Sequence, residues 1–347
     1  MELLEREDEQ TALRSALEAS RTEGRVVVVG GEAGIGKSAL VASVCADLGP
    51  RPVLWGACDP LLTPRTLGPL RDVARDAGGP LAAALEGEGS REPLLAAMLD
   101  ELTGRARSVL VVEDVHWADD ATLDLVALLG RRLARSQGCL VMTCRTEALI
   151  ERPEVRRVLG AIPAEVLRRI EPAPLSEWAV ETLARQAGRP ARDLYRVSGG
   201  NPFFVTEVLT APPGAVPATV RDAVAVRVGA LGPEARAVTE IAAVVPGATE
   251  LRLLADTVAA RPEAIDACTR AGILRVREDT VVFRHDLARR AVEDEIGPAH
   301  RRELEGTVLR ALEATDGVDP ARLAHHARRA GDTMVSPPSP ARCSRRR

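Results

Sequence analysis

The chain has 347 residues, 46% of them hydrophobic, enough for two or three domains that each bury a core. With 46 Lys and Arg against 50 Asp and Glu, the net charge of -4 excludes a strongly basic nucleic-acid binder and an acidic disordered polymer as whole-chain descriptions. Aromatic residues make up only 2%, too few for a base-stacking platform. No apolar run approaches the ~18 residues of a membrane span, and the acidic start MELLEREDEQ has no secretory h-region. A cytoplasmic chain is expected.

In chain order, residues 5–21 carry Leu13, Ala16, Leu17 and Ala19 at near-helical spacing and predict an amphipathic helix. RVVVV (25–29) is a short β-branched run that suits a buried strand, followed by GGEAGIGKS and a helix over 39–48. Further strands are expected at 53–57, 108–114, 139–145 and 166–175. Between them lie helical stretches over 66–105, broken by the Gly/Pro-containing segment 78–92, and over 118–136. Strands alternating with helices predict a parallel sheet with helices on both faces, hence an α/β fold. After about residue 175 the pattern turns helical, over 176–187, 191–197 and 203–211. APPGAVP (211–217) reads as a linker. Residues 218–313 read as helices plus one strand pair, GILRVRED–TVVFRHD (272–286), the outline of a winged helix. Another helix begins at 318–330, and the final MVSPPSPARCSRRR has no periodicity and reads as disordered.

The six cysteines, at 45, 58, 139, 144, 268 and 343, form no CxxC pair and read as small buried hydrophobes rather than as zinc ligands or disulfides. Of the 46 basic residues, 45 are Arg; the one Lys is Lys37, and the one Asn is Asn201. A chain that uses Arg everywhere else has kept a single Lys, and it stands at the defining position of a phosphate-binding motif.

That motif is Gly31-Glu32-Ala33-Gly34-Ile35-Gly36-Lys37-Ser38, a match to GxxxxGK[ST] with a strand before it and a helix, opening at Ala39, after it. Its glycines let backbone N–H groups turn inward around phosphates, and the helix N-terminus adds its dipole. Lys37 supplies a flexible point charge for the β/γ-phosphates, which Arg's rigid fork suits poorly. Ser38 offers a hydroxyl to Mg²⁺. Val109 to Val112 then run into Glu113-Asp114, a Walker B arrangement. Its first acidic position, here Glu rather than the usual Asp, orients Mg²⁺; the second polarises an attacking water. Arg145, ending the fourth strand, is either a γ-phosphate sensor or one surface Arg among many. His116 reads as a phosphate sensor or a packing residue, and Trp117 as packing.

The segments GGEAGIGKSALV, LVVEDVHWADDATLDLVALL and LSEWAVETLA…VSGGNPFFVTEVL together resemble the STAND-type, AAA-related ATPase module of large LuxR-type transcriptional regulators, a module also found with soluble adenylyl cyclases. The resemblance covers about residues 1–330. It implies a P-loop NTPase domain with sheet order 5-1-4-3-2, a small helical domain and a winged-helix-like domain. On this chain those are expected at 1–174, 175–213 and 214–313, with the start of a helical repeat at 314–332 and a tail at 333–347. It implies ATP or ADP with Mg²⁺ as ligands, and three further site residues. Arg6 and Glu9, within Glu5-Arg6-Glu7-Asp8-Glu9, match a Gly-Arg-x-x-Glu box near the adenine, although the family's Gly is replaced; a plain solvated helix start is the alternative. Pro202, in Gly200-Asn201-Pro202, matches a motif whose Pro packs on the adenine; equally, Pro at a first turn is an ordinary helix start. His285 stands where related switches place a diphosphate-sensing His, with a surface His as the alternative.

The resemblance implies a slowly hydrolysing regulatory switch: ADP holds it closed, while ATP and an unidentified inducer open it and permit self-association. Three alternatives stand beside it. DNA binding through 214–310 is disfavoured by 14 Arg against 15 acidic residues there. A ring-forming remodelling ATPase needs an arginine finger, for which Arg131, Arg132 and Arg135 are candidates by placement. A nucleotide-binding piece without output is the third, because the family's helical sensor and helix-turn-helix do not follow; a truncated or naturally short member is the expectation.

Overall fold

Three of the apolar runs become the buried middle of a five-stranded parallel sheet. The computed structural model describes residues 3–59, 65–86, 91–104, 107–212, 215–315 and 317–331, which fall into two compact units. The expected tail at 333–347, with Cys343, and part of the expected linker at 211–217 lie outside the described residues.

The first unit comprises Met1–Ala191 and Gly200–Val205. Its strands β1 (Arg25–Gly31), β2 (Val53–Ala57), β3 (Val109–Glu113), β4 (Cys139–Arg145) and β5 (Leu167–Ile170) lie in the order β2-β3-β4-β1-β5, every pair parallel. Read from the other edge, this is the order the resemblance implied. The middle strands β1, β3 and β4 are buried on both faces, which is why they read as unbroken apolar runs. Alternate residues serve opposite layers. Val26, Val28, Leu110, Val112, Leu140 and Met142 face one core; Val27, Val29, Val109, Val111 and Val141 face the other.

The second of these layers is closed by helices α1 (Glu7–Ala19), through Leu13 and Leu17, and α2 (Lys37–Ala46), through Leu40, Val41 and Val44. The first is closed by α3 (Gly68–Ala77), α4 (Gly79–Glu86), α5 (Arg91–Thr103), α6 (Asp120–Leu133) and, beyond the four-residue α7 (Ala148–Glu151), α8 (Pro153–Gly160). A fully buried Leu or Val contributes about 1.5–3 kcal/mol, so these two layers dominate the unit's stability. Two features depart from the sequence reading. The expected break at 78–92 holds α4, because Leu81 is buried in the core and Pro80 suits a first turn. Residues 148–160, left unassigned, form α7 and α8; Val155, Val158 and Leu159 carry the helical spacing there.

Helix α6 starts where Asp119 caps it: the Asp119 carboxylate accepts from the Ala121 N–H at 3.1 Å. Arg131 and Arg132 lie in its last turn and Arg135 just beyond, all exposed, where cations suit the helix dipole. Helix α9 (Glu177–Gln186) begins at Ser176, whose hydroxyl accepts from the Ala179 N–H at 3.2 Å.

The second unit takes in Arg192–Gly199, with α10 (Leu194–Ser198), and the chain from Thr206 onward. Helix α11 (Pro202–Thr210) starts among residues of the first unit and ends among those of the second. Then come α12 (Ala218–Gly229), α13 (Pro233–Val244), α14 (Leu251–Val258), α15 (Pro262–Arg270), α16 (Asp286–Glu295), α17 (Pro298–Glu313) and α18 (Pro320–Ala330). Strands β7 (Leu274–Arg277) and β8 (Thr280–Phe283) pair antiparallel, and β6 (Thr249–Glu250), too short to leave a pattern, adds to β8.

The described cysteines are buried and in no disulfide; burial pushes the Cys58 and Cys139 thiols up to about 12, which keeps them protonated and inert. Among the described residues no helix is long and apolar enough to cross a membrane.

Candidate nucleotide-binding site

Strand β1 ends at Gly31 and the chain wraps into the N-terminus of α2 through two left-handed residues, Gly34 (φ 81°) and Gly36 (φ 97°). Gly36 has open space around it, so its need is conformational. Gly34 needs both freedoms: a Cβ there would stand 2.6 Å from Phe203 Cβ and 2.9 Å from Asn201 Oδ1.

Lys37 is 7% exposed and folds back into the loop, its Nζ donating to the Gly31 carbonyl at 3.0 Å and the Glu32 carbonyl at 2.9 Å. Burial lowers its pKa, Asp114 opposes that, and Arg145 adds to it. Asp114 is the counterpart: burial raises its pKa, while Arg145 and Lys37 hold it down. Lys37, Asp114 and Arg145 therefore share one electrostatic space at the ends of β1, β3 and β4. Arg145 is held there over the Trp117 ring, 5.7 Å from its centroid, a cation–π contact that gives Trp117 a use beyond packing.

The two Walker B carboxylates part company. Asp114 takes a left-handed backbone (φ 50°) and its N–H donates to Thr143 Oγ1 at 2.8 Å, which turns it off the strand line. Glu113 accepts from the Trp55 indole at Oε2, 2.9 Å, and leaves Oε1 buried with no hydrogen-bond partner. A buried carboxylate oxygen without a donor suits a hard cation. Glu113 and the exposed Ser38 hydroxyl offer only oxygen donors, the chemistry that Mg²⁺ takes.

His116 follows in a short 3-10 turn and is 2% exposed, with neither ring nitrogen hydrogen-bonded and Nδ1 3.8 Å from Asp114 Oδ1. Burial, then the charges of Arg145, Lys37 and Arg152, push its pKa down to about 3, so the ring is neutral and packs on Trp117. An unfolded His protonates near pH 6.5, so between 6.5 and about 3 the unfolded chain holds one proton more. This contribution to stability is complete above pH 6.5 and is lost as pH falls, at about 1.4 kcal/mol per pH unit. We expect urea midpoints measured from pH 7 to pH 5 to fall more steeply for the wild type than for His116→Phe; parallel curves would count against it.

Arg6 is 4% exposed and its guanidinium donates to three main-chain carbonyls: Glu5 at 2.7 Å, Ile35 of the loop at 3.3 Å and Ala173 at 2.8 Å. It ties the loop to the segment after β5. Pro202 opens α11 beside Asn201. His285, 6% exposed, precedes α16 in the second unit, against Gly199.

Sequence reasoning passed over Asn201 itself. It is fully buried; its Nδ2 donates to the Ala33 carbonyl at 3.0 Å and its Oδ1 accepts from the Phe203 N–H at 3.1 Å, while that N–H also reaches the Gly34 carbonyl at 3.2 Å. Its standing as the chain's one Asn was the available signal. Arg152, which donates to the carbonyls of His116 and Ala118 at 2.8 and 2.9 Å, left no signal among 45 arginines. Asn201→Ala takes the donor from the Ala33 carbonyl and leaves the Phe203 N–H only its bond to the Gly34 carbonyl; a loss of about 1–3 kcal/mol is expected from urea unfolding. Gly34→Ala should cost at least as much, through strain and the clash with Phe203.

A family model described as an AAA ATPase domain matches residues 2–142. The first unit carries an AAA-type P-loop ATPase domain. An uncharacterized protein of Rhizobium meliloti is 27% identical over 391 aligned positions, which cover 89% of this chain and 37% of that protein. The chain thus spans little more than a third of that relative's length. Two solved structures share the fold. The Walker-type ATPase of Pyrococcus abyssi aligns at a TM-score of 0.57 and 14% identity, over 84% of this chain and 96% of that one. The Aeropyrum pernix ORC2 protein, solved in ADPNP-ADP complexes, aligns at 0.56 and 16% identity, over 90% of this chain and 96% of that one.

Proposed function

We propose that this chain is a nucleotide-dependent regulatory switch of the STAND type, of the kind LuxR-type transcriptional regulators carry, binding ATP and ADP with Mg²⁺. The observation that carries the reading is the convergence of Lys37, Asp114 and Arg145 on a glycine loop clamped from outside the motif by Asn201. Phosphates entering the loop draw Lys37 off the Gly31 and Glu32 carbonyls and give its ammonium the counter-charge that burial withholds. Loop N–H groups, freed in direction by Gly34 and Gly36, donate to the same oxygens. Mg²⁺, held by Ser38 and Glu113, neutralises phosphate charge when bound. Asp114 accepts the proton of an attacking water, Arg145 meets the γ-phosphate, and Trp117 keeps its guanidinium from swinging away. Arg6 acts near the nucleotide by fixing the loop, with Pro202 against the adenine and His285 as the diphosphate sensor.

In this reading residues 1–174 are the ATPase domain, 175–213 a small helical domain and 214–313 a winged helix whose wing is the β7–β8 hairpin. The helix at 320–330 opens a repeat. The protein acts in the cytoplasm, self-associates in the ATP state, answers to an inducer and turns ATP over slowly, because among the described residues no arginine finger in cis is identifiable. The near-balanced charge of 214–310 disfavours direct DNA binding by that segment.

The test is nucleotide content. The purified chain is denatured and released ADP and ATP are quantified by chromatography. Near-stoichiometric ADP supports a closed switch. Empty protein that hydrolyses ATP quickly supports a constitutive ATPase instead, and no binding at all overturns the reading.

A further inference from the structure

Helices α17 and α18 bring Glu305, His325 and His326 together in the second unit, with one ligand atom of each within 4.8 Å of the others. Glu305 and His326 are both 0% exposed. A buried carboxylate with a buried imidazole has an ordinary explanation, an ion pair that pins one helix to another. Here it accounts for only part of the cluster. His326 Nδ1 lies 2.5 Å from Glu305 Oε2, and Arg329 Nε donates to Glu305 Oε1 at 2.6 Å, so the carboxylate is satisfied. Two histidine nitrogens are not: Nε2 of His326 and Nε2 of His325 are both buried with no hydrogen-bond partner. Leaving such atoms unmet is costly, and adjacent histidines, with rings edge to face at 5.1 Å, are an expensive way to fill space.

The surroundings favour a cation. Arg329 orients the Glu305 carboxylate, and is itself paired to Glu293 of α16, which Arg289 also holds at 2.7 Å. Metal-binding carboxylates are commonly fixed by such outer partners. His325 also lines a cavity of about 490 Å³ bounded by Val244, Pro246, Arg290 and Arg329, which leaves room for water beside the cluster.

We propose that Glu305, His325 and His326 form a Zn²⁺ site with three protein ligands and a fourth position open to this cavity. Two imidazoles and a carboxylate are a zinc donor set, and three protein ligands leave a water-accessible position. Ligands of a tetrahedral zinc, about 2.0–2.1 Å from the metal, stand roughly 3.3 Å apart, so closing onto the ion takes a modest rotation of the rings. The site is independent of the nucleotide reading, since none of its residues belongs to the P-loop unit.

The experiment uses the full chain, stripped of metal by a chelator and then supplied with ADP and excess Mg²⁺, so that the loop's oxygen donors are occupied. Co²⁺ is titrated in and followed by its visible absorption, and Zn²⁺ affinity is measured against a chromophoric chelator. One equivalent is expected to bind with the intense spectrum of a four-coordinate site. His325→Ala should weaken Zn²⁺ by on the order of 100-fold or more, with circular dichroism unchanged. His300→Gln, which removes the exposed His300–Glu240 contact, should leave it intact. If His325→Ala fails to fold, Glu305→Gln carries the same comparison. Zn²⁺ affinity equal in wild type and variant, or no binding above that of the exposed histidine, overturns the proposal and leaves the ion pair alone.

Discussion

Lys37→Ala is expected to weaken ADP and ATP by about 10²–10⁴-fold while leaving the domain folded. Hydrogen bonds to a charged group are worth about 1.5–3 kcal/mol each, and an ammonium between β- and γ-phosphates makes two or more. At about 1.4 kcal/mol per tenfold, that is the range given. Folding survives because Lys37 Nζ reaches only the Gly31 and Glu32 carbonyls, which water can serve once the side chain is gone. Lys37→Arg should fare little better, because a planar fork does not fit a pocket shaped around a point donor. There is also a pH signature. Burial lowers the pKa of Lys37 in the free protein, and bound phosphates raise it again. Affinity must then fall as pH rises through the free-protein value, and this slope must vanish in Lys37→Ala. Calorimetric titration with ADP, beside an unchanged urea midpoint, checks both. Affinity within a few-fold of wild type would falsify the assignment of Lys37 to the phosphates.

Why was so much of this domain legible in sequence? The middle strands are buried on both faces, so their sequences are continuous and apolar. The loop was legible because GxxxxGK[ST] encodes backbone requirements, and the φ values of Gly34 and Gly36 are those requirements. What stayed hidden depends on contacts between residues distant in sequence. Asn201 lies 168 positions from the carbonyl it clamps. Arg6 and Arg152 act on main-chain carbonyls, which no side-chain pattern reveals. The motif assigns Mg²⁺ to Glu113 and water to Asp114, but the geometry that parts the two carboxylates was illegible for a different reason. It turns on one left-handed residue and on the Trp55 indole of a neighbouring strand, and a dipeptide carries neither. Strand β6 is two residues long, below any period.

That division makes the paired amide substitutions the sharpest probe of the chemistry. Asp114→Asn keeps the shape and the N–H bond to Thr143 but removes the charge that faces Lys37 and Arg145. If Asp114 accepts the proton of water, turnover should fall by about 10²–10⁴-fold, with ATP binding kept or tightened because a carboxylate no longer repels the phosphates. Glu113→Gln also keeps its tie to Trp55, whose indole can donate to the amide oxygen. It loses the anionic Oε1, so its defect should appear as a raised Mg²⁺ requirement that high Mg²⁺ partly restores. Trp55→Phe separates the two further. It frees Glu113 Oε2 and should shift the Mg²⁺ dependence without touching the pH profile set by Asp114. Single-turnover hydrolysis across a Mg²⁺ series distinguishes these outcomes. A Glu113→Gln defect that Mg²⁺ cannot relieve, beside an Asp114→Asn defect that it can, would exchange the two roles. Burial raises the pKa of Asp114 from that of an ordinary Asp, so the base is lost at a higher pH than an exposed Asp would be. Hydrolysis should therefore fail on the acid side earlier than an exposed Asp would allow, and Arg145→Ala, by removing a charge that holds Asp114 down, should move that limb to higher pH still.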